Sequence, residues 1–176
     1  KAMTKFDSLV LKLFTKLAHG VQWAMGITCY RLAEQAFIIA ALGCTLRVVS
    51  YWLPLLAQLD APPILITFYA INGFILLGDA RTAAKCEASW GARETLPAET
   101  LRFHGYVMQA FRTFFVILSV CDIVLNIALL AHGGFVLGHL WNSLFWYGMT
   151  CGMYLIAVTP MPKQRLKVLV PIRDAG

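Results

Sequence analysis

GYVMQAFRTFFVILSVCDIVLNIALL, residues 105–130, reads as one long helix made for hydrocarbon. At about 1.5 Å of rise per residue it exceeds the roughly 30 Å apolar core of a bilayer. Few of its residues are polar, and helical spacing gathers Gln109, Arg112, Ser119, Asp122 and Asn126 on one side, with Leu125 and Leu129 falling elsewhere. A charge exposed to lipid at mid-membrane costs at least about 2.5–3.5 kcal/mol on insertion scales. The stripe is therefore expected to face protein or water.

Working outward, the whole chain has the same character. Of its 176 residues 59% are hydrophobic and only 14% charged, with a mean hydropathy of +0.68. That balance is far from a soluble domain, in which about a quarter of residues are charged. The length suits one membrane domain with little left for a separate soluble one. Three further apolar stretches, at about 36–59, 62–79 and 135–158, complete an expected all-α fold of four transmembrane helices in two hairpins. The apolar run near Trp23–Tyr30 offers the first span an earlier start. Pro62 and Pro63 suit re-entry into a helix, and Ala131-His132-Gly133-Gly134 suits a tight turn between the last two spans.

The segments outside these spans carry the orientation signal. Residues 1–33 form an amphipathic interfacial segment: Lys5, Ser8, Lys12, Thr15, Lys16 and His19 share one helical face, and Phe6, Leu9, Val10, Leu13 and Leu17 the other. It lacks the uninterrupted apolar run and small-residue site of a signal peptide. Residues 34–159 hold the spans and a central charged loop, 80–104; residues 160–176 form a basic tail. Every Lys and Arg outside the spans falls in the first segment, the central loop or the tail, and the two hairpin loops have none. The positive-inside rule then places both termini and the loop in the cytoplasm, the expected host being a bacterial inner membrane.

Function must be sought among polar residues in lipid. Arg47 stands near mid-membrane on a ridge of small residues, Ala36, Ala40, Gly43 and Ser50, and Asp122 lies slightly outward of it, within reach of an arginine side chain. An Arg47–Asp122 pair is expected, assisted by Asn72 and Asn142, with Arg112, Asn126 and His139 completing the intramembrane polar set. Gly43 and the pairs Gly134/Gly138 and Gly148/Gly152 permit close helix approach, within the bundle or between copies. In the loop, Arg81, Lys85, Arg93, Glu94, Arg102 and His104 present polar groups to a partner.

Several chemistries are disfavoured. Cys29, Cys44, Cys86, Cys121 and Cys151 are scattered singly without CxxC, so neither zinc nor thiol exchange is expected. No HExxH, GxSxG or Walker A sequence occurs, and an enzyme is not expected. The net charge of +6 comes without aromatics interleaved in a basic groove, so direct nucleic-acid binding is not expected either. His132 and His139 would be the ligands of a haem-binding electron carrier, but without CxxCH no cofactor or metal is assigned. The expected partners are the bilayer itself, further copies of the chain and other membrane subunits.

The stretch from Asn72 through Arg81, Gly91-Ala-Arg93-Glu94-Thr95, Phe103-His104 and a final hairpin with a basic tail resemble small multispan inner-membrane proteins encoded by conjugative elements. The resemblance covers about half the chain, in short pieces with departures in spacing. It implies a non-enzymatic accessory membrane subunit of a DNA-transfer or secretion apparatus. With or without it, the leading expectation is a structural or assembly subunit. The alternatives are a small oligomeric channel conducting ions or protons past Arg47 and Asp122, and the haem carrier.

Overall fold

The computed structural model describes residues 2–52, 63–89, 105–133 and 137–160. Among these there are five helices and no strand: α1 (Ala2–Met25), α2 (Cys29–Trp52), α3 (Pro63–Ser89), α4 (Tyr106–Ala131) and α5 (Leu137–Ala157). Three of them, over Cys29–Tyr51, Ile64–Ser89 and Val107–Ala131, are long and apolar enough to cross a membrane.

Local chemistry sets the breaks. Gly26 ends α1 in the left-handed region at φ 69°, where its N–H reaches back to the Gln22 carbonyl at 2.9 Å. Two residues on, Thr28 caps α2 by accepting the Arg31 N–H on Oγ1 at 3.2 Å. This cap moves the start of α2 to Cys29, seven residues before the expected Ala36, and Tyr30, Ala33 and Phe37 continue its buried side. Pro63 opens α3, at a position where a missing N–H costs nothing. Gly133, at φ 68°, closes α4.

α3 also runs ten residues beyond its expected end at 79. Ala80, Ala83 and Cys86 continue a buried stripe along α2, and Thr28 donates from its hydroxyl to Glu87 at the end of it. Arg81 and Lys85 are therefore exposed on a helix rather than in a loop. Arg93, Glu94, Arg102 and His104 lie outside the described residues, as do Asp60, Gly134 and the basic tail.

α2 is the centre of the packing, with α3 on one side and α5 on the other; α4 covers α5, and α1 touches α4, α5 and α2. The register shows antiparallel neighbours from α2 to α5. Cys29 faces Val158, Ala36 and Ala40 face Gly148, and Gly43 faces Trp141 and Phe145. Thr28 meets Glu87 while Cys44 meets Gly73, and Ser119 meets Thr150 while Asp122 meets Asn142 and Ser143. The starts of α2 and α4 and the ends of α3 and α5 thus share one end of the bundle, here the proximal end.

The α2–α5 contact depends on glycine. A Cβ on Gly148 would stand 2.7 Å from the Ala36 carbonyl oxygen and 2.8 Å from the Ala40 nitrogen. One on Gly43 would meet the Trp141 carbonyl oxygen at 2.7 Å, and one on Gly152 the Phe37 ring at 2.6 Å. Backbone meets backbone because nothing intervenes. Gly43, Gly148 and Gly152 are thus spent inside the chain. The other expected packing pair, Gly134/Gly138, is not placed against a neighbour: Gly138 falls in the first turn of α5, its surroundings outside the described structure, as Gly134 is altogether. Around the three close-packed glycines Phe145 gathers Tyr69, Phe115 and Trp146, with ring centroids 5.8, 6.4 and 4.6 Å away.

The distribution of polarity is reversed relative to a soluble bundle. α4 turns Val107, Phe111, Phe114, Ile117, Val120, Val124 and Ile127 outward and encloses Arg112, Thr113, Ser119 and Asp122. α3 likewise exposes Ile64, Phe68, Ile71, Phe74 and Ile75. In water this surface would be a large aggregation-prone patch; in hydrocarbon it costs nothing.

Candidate functional site

Two polar centres lie within this apolar bundle. The proximal one joins α1, α4 and α5. Arg112 donates to Asp7 from Nη2 at 2.8 Å and from Nε at 3.2 Å, a two-point fork on one carboxylate. The Tyr154 hydroxyl donates to the same Asp7 Oδ1 at 2.8 Å, and the Arg112 guanidinium lies 5.5 Å from the Tyr154 ring centre. All three residues are buried, Asp7 at 3% and Arg112 at 4% exposure. Phe14 stacks on Tyr154 at 5.0 Å, and His19 Nε2 lies 2.9 Å from the Thr159 carbonyl oxygen.

These contacts define how α1 sits. Between Asp7 and His19 it advances about 18 Å, while their partners Tyr154, on α5, and Thr159, two residues beyond its end, are at most about 12 Å apart along the chain. α1 therefore crosses the proximal end obliquely. It docks through Asp7, Leu11, Phe14, Ala18 and Gln22, spaced three to four residues apart. Of the expected apolar face, Phe6, Leu9, Leu13 and Leu17 are exposed, Leu9 at 68%, and Val10 is half-buried; Lys5, Lys12 and Lys16 are exposed as well.

The distal centre joins α3, α4 and α5. Asp122 accepts the Ser143 hydroxyl at 2.6 Å and the Asn126 amide at 2.9 Å on Oδ2, and the Asn142 amide at 3.2 Å on Oδ1. Asn126 Nδ2 also reaches Ser143 Oγ at 2.9 Å, and Asn142 Oδ1 accepts the Tyr69 hydroxyl at 2.6 Å. Tyr147 borders the same carboxylate. Between the two centres, Ser119 and Thr150 join hydroxyls at 2.8 Å across the α4–α5 seam.

The expected Arg47–Asp122 pair does not form. Both Asp122 oxygens are taken by neutral donors, and among the described residues the ion pairs are Asp7–Arg112 and Arg31–Glu34. Arg47 instead lies over the Tyr51 ring at 4.9 Å and beside Tyr69, with its Nε buried and without an acceptor. Among the described residues it connects to Asp122 through Tyr69 and Asn142. Because α2 starts at Cys29, Arg47 stands about 27 Å along it, in the distal third of the helix.

Of the residues singled out from the sequence, Asp122, Asn126 and Asn142 come together; Arg112 joins the proximal centre. Asn72 turns back to the Phe68 carbonyl at 2.8 Å, and His139 contributes its carbonyl oxygen, 3.0 Å from Ser143 Oγ, whose one proton goes to Asp122 by the shorter contact. His132 is exposed just past α4. The sequence reading does not reach Asp7, Tyr69 and Ser143, and it offers Tyr154, with Trp141 and Trp146, as a contact for a neighbouring copy, whereas Tyr154 is buried against Asp7 within the chain. For Asp7 a signal existed: it heads the stripe Leu11, Phe14, Ala18, a spacing that marks a docked helix face. Compared with protein-family models, curated proteins and solved structures, this chain matches none.

Proposed function

We propose that this chain is a four-span membrane subunit, non-enzymatic, that has a structural or assembly role in a larger membrane complex. The observation that carries the reading is how its buried polar groups are used: Asp7–Arg112–Tyr154 and Asp122–Asn142–Tyr69 tie one helix of the chain to another. Groups committed to helix-to-helix bonds fix a shape.

In this reading α5 is the fourth span, and α1 lies in the interface with Leu9, Leu13 and Leu17 among acyl chains and its lysines among headgroups. The proximal end faces the cytoplasm, which agrees with Lys5, Lys12, Lys16, Arg31, Arg81 and Lys85 being carried on α1, the start of α2 and the end of α3. That basic end is the surface offered to partners. A DNA-transfer or secretion apparatus is the assembly that the sequence resemblance suggests.

Affinity purification of the full chain in mild detergent, followed by mass spectrometry, tests this. Other membrane proteins are expected at near-stoichiometric yield. Recovery of self-copies alone, together with ion flux in liposomes, would replace it with the channel reading, which the uncompensated Asp122 favours.

A further inference from the structure

Asp122 presents a problem of charge. It is 5% exposed on an apolar helix, with no cationic side chain at ion-pair distance among the described residues. The donors that reach it from Asn126, Asn142 and Ser143 are neutral: they ease its desolvation but supply no positive charge. Arg47 is two side chains away and cannot neutralise it by contact.

The surroundings of that charge are oxygen-rich. Ser143 Oγ is 2.6 Å from Oδ2, and the His139 carbonyl oxygen is 3.0 Å from that hydroxyl. Asn126 Oδ1 is buried with no hydrogen-bond partner, while its Nδ2 serves Asp122 and Ser143. An orphaned buried carbonyl oxygen is uncommon and calls for an explanation. The two ends of an amide have nearly the same shape, so half a turn of Asn126 would bring this oxygen to where Nδ2 now meets the carboxylate.

We propose that Asp122 binds a monovalent alkali cation, with Asn126 Oδ1, Ser143 Oγ and the His139 carbonyl oxygen as its other ligands. Carboxylate, carbonyl and hydroxyl oxygens are the ligands hard cations take. Charge selects valence: one positive charge cancels the carboxylate, whereas two would leave a net cation in hydrocarbon. Asn126 is the adapting part, presenting N–H to the bare carboxylate and oxygen to the ion. All the ligands belong to α4 and α5, so binding clamps that hairpin. The proposal does not depend on the assembly role.

The full chain, purified in mild detergent with N-methylglucamine as the only cation, is titrated with sodium, potassium or choline chloride at constant ionic strength while thermal unfolding is followed. Sodium or potassium should raise the melting temperature saturably, by about 3–6 °C at ten times the dissociation constant, and choline should not. Asp122→Asn, nearly isosteric and uncharged, should fold and lose the response; Asn126→Ala and Ser143→Ala should each weaken it about tenfold or more. An equal response to choline, a response that survives in Asp122→Asn, or none between pH 6 and 9 would overturn the assignment. Should Asp122→Asn not fold, unchanged affinity in both other variants has the same force.

Discussion

Replacing Asp7 with alanine leaves the Arg112 guanidinium, 4% exposed, without its carboxylate. Removing one member of a buried ion pair costs about 3–5 kcal/mol, much of it the desolvation of the charge left behind. Two features place this pair toward the upper part of that range: it is forked, and Tyr154 donates to the same oxygen, so Asp7→Ala also orphans a buried phenol. At about 2–4 °C per kcal/mol for a chain of this size, the melting temperature should fall by about 6–20 °C. Arg112→Ala should fall in the same range. The double variant removes both members of the fork and should lose less than the sum, by about 1–3 kcal/mol. The assay is thermal or denaturant unfolding of the four proteins in one detergent, followed by circular dichroism. Additive losses, or single losses under about 1 kcal/mol, would mean that α1 is not held as described.

The same cycle on Arg47 and Asp122 should give a coupling below about 0.5 kcal/mol, since two side chains separate them; a value above about 2 kcal/mol would indicate direct contact. Gly148→Ala forces a methyl against the Ala36 and Ala40 backbone and should cost about 1–3 kcal/mol, whereas Gly73→Ala, whose Cβ would meet only the Cys44 Cβ at 3.5 Å, should be near neutral; equal losses in unfolding experiments would contradict the α2–α5 packing. Tyr69→Phe removes the hydroxyl bound to Asn142 and should lower stability by about 1 kcal/mol in the same assay. For orientation, single cysteines at Lys85 and His132 should react with an impermeant thiol reagent from opposite faces of sealed vesicles, in a background in which Cys121, the exposed native thiol, is replaced by serine.

How much of this could be read from the sequence depends on the type of signal. The apolar length of residues 105–130 gave α4 to within a residue or so, because a bilayer demands about that much helix and little else does. Helix ends that depend on tertiary contacts were misplaced. α2 begins at a threonine cap, and α3 continues because Ala80, Ala83 and Cys86 have α2 to pack on; neither feature changes hydropathy. Hydropathy picks out the leucine face of α1, which stays exposed, and is silent on the second face, Asp7, Leu11, Phe14 and Ala18, by which the helix docks. In a membrane protein the apolar face of a helix is not by itself the buried face.

That ambiguity explains the error over the ionic residues. Helical spacing says on which side of α4 Arg112 and Asp122 lie, and both do point inward. It says nothing of which helix they meet. With charges so sparse, the economical guess pairs Asp122 with the arginine at similar depth. The chain solves the two charges differently. Arg112 receives a carboxylate from outside the spans, on a helix whose lysines suggest only a surface role, and so α1 is fastened to the bundle by the one acid its own stripe contains. Asp122 receives amides and hydroxyls, which satisfy its hydrogen bonds but not its charge. A carboxylate held that way remains open to a cation, whereas one locked to guanidinium would not; the absence of the expected pair is what leaves the distal centre chemically available.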